Sequence, residues 1–80
     1  MTEFYFLTKP QCSLCEQALL LLHSLQLEQP IELQIVDIST DQALLDEYAW
    51  HIPVLIRAAD DVELRWPFTA TEAEEFIINE

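Results

Sequence analysis

Apolar and polar positions change their spacing several times along this 80-residue chain, and each change marks an element. Glu3 to Thr8 is short and rich in aromatic and β-favouring residues, as a buried strand is. From Ser13 to about Leu25 the spacing shifts. Leu14, Ala18, Leu21, Leu22 and Leu25 recur as one face of a helix does. Leu19 and Leu20 fall off that face; Leu20, the more displaced, is expected to meet a second packed layer rather than stand as an apolar spot on the surface. Gln29-Pro30 breaks the helix. Ile31 to Ile35 then alternates with period two and continues through Val36-Asp37-Ile38 as a second strand. A strand, helix and strand of these lengths predict a right-handed parallel crossover.

Ser39 and Gln42 have capping-box spacing ahead of a short second helix, with Leu44, Leu45 and Tyr48 on one face and its end near Ala49. Pro53 to Arg57 and Val62 to Trp66 read as third and fourth strands. Ala58-Ala59-Asp60-Asp61 joins them in a hairpin that lacks the usual Asn-Gly or Asp-Gly signal. Thr69 with Glu72, or Thr71 with Glu74, caps a last helix that buries Phe76 and Ile77. The order βαβαββα predicts an α/β fold: one domain over residues 1–80, a four-stranded mixed sheet and helices on both faces.

A domain this small hides only about 60% of the surface its unfolded chain exposes, so its core has to be rich in apolar side chains. The hydrophobic fraction of 51% and the run Leu19 to Leu22 supply that density. No structural disulfide or metal is needed to explain folding, which leaves the two cysteines free for chemistry. Fifteen acidic residues against three basic ones give a formal charge of −12. Such a surface repels phosphate backbones and anionic lipids, so nucleic acid and membrane are not expected partners. The acidic residues are spread along the chain as solvated faces, with a basic protein partner as the other reading. No apolar run approaches the roughly 18 residues of a membrane span, and the N-terminus lacks the features of a secretory signal. A cytoplasmic location is the expectation. The chain has no glycine, which excludes the glycine-rich loops that cradle nucleotide phosphates.

The chemistry is concentrated at Cys12-Ser13-Leu14-Cys15, placed where the first strand gives way to the first helix. Two thiols at this spacing close a small disulfide or contribute to a metal site, and in a reducing compartment such a pair is more often chemical than structural. Cys12 stands at the helix start, where unpaired N–H groups and the helix dipole favour thiolate over thiol. Thiols in such positions titrate at roughly 3.5 to 7.5, against about 8.5 for a free cysteine. Some forty residues later Ile52-Pro53-Val54 opens another strand.

The element order, the C-x-x-C at the first strand–helix junction and the proline entering the third strand together resemble the thioredoxin superfamily, and within it a compact bacterial glutaredoxin-like protein. The resemblance runs from Glu3 to Asn79. It implies a thiol–disulfide oxidoreductase in which Cys12 attacks a substrate disulfide and Cys15 resolves the mixed disulfide. It implies that Pro53 is a cis-proline facing the cysteines, leaving the Ile52 backbone to pair with an extended substrate. Lys9, the only lysine, stands at the spacing of the lysine that contacts the glutathione carboxylate.

Two departures stand out. The dipeptide between the cysteines is Ser13-Leu14, without the usual proline, and Trp66-Pro67-Phe68-Thr69 replaces the glycine pair and acidic residue of glutathione-binding members. Thr69 and Thr71, at the last helix N-terminus, are the remaining candidates to hold a carboxylate there. The implied partners are protein disulfides or glutathione mixed disulfides, and a reductase whose identity the residues do not give. No bound cofactor is expected, and glutathione is an implied reductant. Two other readings stay open: a zinc or iron–sulfur module in which two chains share the C-x-x-C or His51 joins it, and a non-catalytic interaction domain. His51 is otherwise a loop histidine, and Trp50 and Trp66 either wall the thiols or belong to the core.

Overall fold

A computed structural model describes residues 2–27 and 30–78 of the chain. The expected break at Gln29 and the far end of the resemblance at Asn79 lie outside the described residues. The elements follow the order β1 (Thr2–Thr8), α1 (Ser13–His23), β2 (Ile31–Asp37), α2 (Gln42–Tyr48), β3 (Val54–Arg57), β4 (Glu63–Arg65) and α3 (Ala70–Ile78), with a single 3₁₀ turn at Ile38–Thr40 before α2. One four-stranded sheet runs β2-β1-β3-β4. β1 pairs parallel with β2, Phe6 opposite Ile35, and antiparallel with β3, Phe6 opposite Leu55. The mixed α/β architecture expected from the sequence is the one observed.

Alternation along β1 divides the core between the two faces of the sheet. Phe4 and Phe6 point to the face covered by α1 and α3, where they meet Ala18, Leu22, Leu55, Phe68, Ala73 and Ile77. Leu7 points the other way and packs with Val54, Ile38 and Tyr48 under α2. Each fully buried Phe or Leu of this kind contributes about 1.5–3 kcal/mol relative to exposure.

The buried stripe of α1 is Cys15, Ala18 and Leu22. Leu14, expected on that stripe, is 46% exposed, and Leu20, expected to meet a second layer, is 72% exposed. Four successive leucines sweep most of a helix circumference at roughly 100° per residue, and a single sheet covers only a stripe of it. Cys15 takes the place that the leucine spacing assigned to Leu14. Without a glycine, α1 ends on Ser24, whose hydroxyl donates to the Leu21 carbonyl at 2.6 Å.

The Ser39/Gln42 capping box does not form. Asp41 caps α2 instead, its carboxylate accepting the N–H groups of Ala43 at 2.9 Å and Leu44 at 3.4 Å. Ser39 belongs to the preceding 3₁₀ turn, where its N–H and hydroxyl both donate to Asp37, and Gln42 reaches forward to Asp46. The second box does form. The Thr69 hydroxyl accepts the Glu72 N–H and a Glu72 carboxylate oxygen accepts the Thr69 N–H, both at 3.1 Å.

At the far end of α3, the buried Arg57 donates to Asp60 at 2.9 Å and to the Phe76 carbonyl at 2.8 Å, and lies 4.5 Å above the Phe76 ring. The hairpin turns with Asp61 at φ 59°, a left-handed position that Asp tolerates better than most side chains. Among the described residues no helix is long and apolar enough to cross a membrane.

Candidate functional site

The site is built where β1 ends. After Thr8 the chain leaves the sheet through Lys9 and Pro10, and Gln11 takes a left-handed conformation at φ 60°. Most side chains avoid that region; here it reverses the chain direction in a sequence that offers no glycine. Cys12 follows as the extended N-cap of α1, and its carbonyl accepts the Glu16 N–H at 3.1 Å. The Cys12 sulfur takes the role that a cap oxygen usually fills, accepting the Cys15 N–H at 3.2 Å. The Cα atoms of Cys12 and Cys15 lie 5.2 Å apart, within the range a disulfide spans, and the two cysteines are disulfide-bonded. Their exposures differ. Cys12 is half-buried, whereas Cys15 is 3% exposed and part of the α1/α3 core.

The second component is the entry to β3. The Ile52–Pro53 peptide bond is cis, and Pro53 is buried. The Pro53 carbonyl accepts the Trp66 N–H at 3.2 Å, which ties the proline to the end of β4. Among the described residues neither backbone group of Ile52 is engaged by another backbone group. Cys12, Ile52 and Trp66 pack against the same buried cluster, so the disulfide and the proline loop rest on one piece of core. Trp66 meets Phe68 edge-to-face at 5.1 Å, and the Trp66–Pro67 bond is also cis. Trp50 is 91% exposed and His51 is exposed. Trp50 therefore belongs to no core.

Thr69, a candidate for holding a substrate carboxylate, has its hydroxyl and N–H both engaged by Glu72. That terminus is satisfied from within the chain. Lys9 stands beside the disulfide, exposed at the mouth of a groove of about 220 Å³ that the cysteines help to line. Phe6, Leu19 and Ile35 supply its apolar wall and Glu16 an acidic edge. Sequence reasoning passed over this groove. The signal available was the alternation Ile31, Leu33, Ile35, which puts Ile35 on the same face of the sheet as Phe6.

On the other face, the Tyr48 hydroxyl donates to Glu63 at 2.6 Å. That hydrogen bond, then burial and the Glu63 charge, pushes the phenol up to about 12. The same bond, with help from Arg65, holds Glu63 below the usual carboxylate range against the opposing effect of burial. Tyr48 is thus a neutral structural donor fastening α2 to β4, in a different core cluster from Cys15. Among the described residues no three His, Cys, Asp or Glu side chains gather as metal ligands, so His51 does not join the two cysteines.

Residues 3–77 match the model of the glutaredoxin-like domain family (DUF836). The chain belongs to that family. Among curated proteins none matches it. This glutaredoxin-like chain is similar to a solved structure, the X-ray structure of Northeast Structural Genomics target protein XcR50 from X. campestris. The identity is 26%, the match covers 96% of this chain and 97% of that one, and the TM-score is 0.78. The glutaredoxin-like fold, with its Cys12–Cys15 disulfide at the head of α1, fits a redox thiol function.

Proposed function

We propose that the chain is a thiol–disulfide oxidoreductase that reduces protein or glutathione mixed disulfides in a reducing, cytoplasmic compartment. The observation that carries this reading is the sulfur cap: Cys12 occupies the N-cap of α1 and accepts the Cys15 N–H at 3.2 Å. In the dithiol form a Cys12 thiolate at that position accepts a charge-assisted hydrogen bond and meets the positive end of the helix.

The half-buried Cys12 attacks one sulfur of the substrate disulfide. A Cys12–substrate disulfide forms and the other substrate sulfur leaves as a thiolate. Cys15, already within bonding reach, loses its proton and attacks the Cys12 sulfur; the Cys12–Cys15 disulfide closes and the second substrate thiolate departs. Two electrons pass to the substrate, and the chain is left in the oxidised form described above. A thiol reductant, glutathione or a dithiol reductase, returns it to the dithiol by the reverse exchange.

Other residues serve binding. The unengaged backbone of Ile52 beside Pro53 is available to pair with an extended substrate, and Lys9 presents a cation at the mouth of the groove. The test is the pH dependence of Cys12 alkylation in a Cys15→Ser chain, together with equilibration of the unaltered chain against glutathione redox buffers. A Cys12 pKa well below about 8 and a reversible disulfide support the reading. An ordinary thiol pKa, or cysteines that never close, overturns it.

A further inference from the structure

The groove beside the disulfide lies on the β2 side of α1. Ile31, Leu33 and Ile35 share one face of β2 with Phe4 and Phe6 of β1, and Ile31 and Leu33 pack against the core. Ile35 does not. It is 54% exposed, because α1 leaves the end of β2 next to the cysteines uncovered. The depression is lined by Phe6, Leu19 and Ile35 together with Cys12 and Cys15, so an apolar surface lies next to the disulfide.

A cleft that takes a whole small molecule measures about 300–1,000 Å³. This one, at about 220 Å³, is of a size for a side chain. Its apolar walls suit an aliphatic side chain better than glutathione, which has no branched hydrocarbon group and brings two carboxylates and one ammonium towards a chain of formal charge −12.

We propose that this groove receives an aliphatic side chain adjacent to the reacting cysteine of a cationic polypeptide substrate. The proposal rests on the oxidoreductase reading and narrows its substrate class from disulfides in general to protein disulfides flanked by aliphatic and basic residues. Charge selects the partner at long range through the acidic surface. The groove selects it at contact, through burial of hydrocarbon between Leu19 and Ile35. Glu16 at the rim favours a neighbouring basic residue, and Lys9, which forms no ion pair among the described residues, faces the peptide carbonyls.

The test uses a mixed disulfide formed by simple exchange, so that it does not depend on turnover. A full-length Cys15→Ser chain is equilibrated with the symmetric disulfides of two synthetic peptides, Lys-Leu-Cys-Leu-Lys and Lys-Ala-Cys-Ala-Lys, so that Cys12 keeps one peptide in a mixed disulfide and releases the other half as a thiol, and the Cys12 mixed disulfides are quantified. The leucine peptide is expected to accumulate about tenfold over the alanine peptide, the lower end of what burial of a leucine side chain supplies. Ile35→Ser, on an edge strand, should bring that ratio close to one. Nuclear Overhauser contacts should join the peptide leucine methyls to those of Ile35 and Leu19 in the trapped complex.

A ratio near one in the chain with Ile35 intact, a ratio that Ile35→Ser leaves in place, or leucine methyls seated instead against Ile52 and Trp66 overturns the proposal. Turnover of both peptides by the wild-type chain is measured in parallel. Turnover without a leucine preference in the trapped complex removes the groove and keeps the oxidoreductase; a leucine preference without turnover does the reverse.

Discussion

Helix α3 begins under Thr69, whose hydroxyl accepts the Glu72 N–H while Glu72 returns a carboxylate oxygen to the Thr69 N–H. Helix α1 begins under Cys12, whose sulfur accepts one N–H, that of Cys15, at 3.2 Å. Both are N-termini on the same face of one sheet, yet the first is closed by two reciprocal oxygen bonds and the second by a weak acceptor. The difference shows where anion binding is left open. At α3 the chain's own carboxylate has taken the place. On the proposed reading, the demand for negative charge at α1 is met in full only when the capping sulfur becomes a thiolate, and an incompletely satisfied helix start would itself be the activating device.

The largest test of this contrast is Cys12→Ser. An oxygen there is a better cap and no nucleophile, so disulfide exchange should fall to the background of the assay thiols. Loss of the cross-link over so short a loop costs about 2 kcal/mol against the oxidised chain, of which the better cap returns up to about 1 kcal/mol. Enzyme assay and urea denaturation of the same samples separate the two effects, and retained exchange would move the nucleophile elsewhere.

Thr69→Ala comes next. It should lower stability by about 1 kcal/mol, or roughly 4–8 °C in melting temperature, with no change in the rate at which Cys12 is alkylated. A matched fall in alkylation rate would show that the two termini are coupled. Thr69→Cys, in a Cys12→Ser/Cys15→Ser background at pH 5, transplants the sulfur cap; most of that same ~1 kcal/mol should be lost while the thiol stays protonated. Full retention of stability would break the oxygen-versus-sulfur distinction.

The smallest effect concerns Asp37, the oxygen cap of the 3₁₀ turn. The Ser39 hydroxyl and then the Ser39 N–H hold its carboxyl below its ordinary value. A carboxyl that titrates lower in the folded chain than in the unfolded one stabilises the fold above the ordinary range near pH 4, and that contribution is lost as pH falls through the lowered value. Asp37→Asn should therefore flatten this acid limb in urea midpoints taken from pH 5 to pH 2. An unchanged limb would assign the acid sensitivity to other carboxylates, with Glu63 the next to examine.

These contrasts also explain what could be read from the chain directly. The cysteine pair at a strand–helix junction, the Thr69/Glu72 box and the alternation in β2 are local patterns, and local patterns survive folding. Asp37, Ser39, Thr40 and Asp41 are all able to cap a helix and stand within five positions of one another. Asp41 is the one that caps α2, with Ile38 before it and Tyr48 after it packed in one cluster. Leu14 obeys the helical period as well as Ala18 does, and Leu20 lies off it; which arc of α1 meets the sheet depends on the seating of Cys15, a long-range matter that spacing does not encode. The groove at Ile35 escaped for the same reason, because it exists only where a helix stops short of covering an edge strand.

Arg57 gives the comparison of the two helices a dynamic side. It grips the Phe76 carbonyl and ring at the far end of α3 while the Thr69/Glu72 box closes the near end, so α3 is clamped at both extremities. The near end of α1 has only its sulfur. When the disulfide opens, the effect should therefore be confined to a single helical turn: amide hydrogens over residues 12–16 are expected to change their exchange rates between the disulfide and dithiol states, while those of residues 70–78 keep theirs. The redox state would then be carried as a local change at one helix start, legible to a binding partner without any rearrangement of the fold.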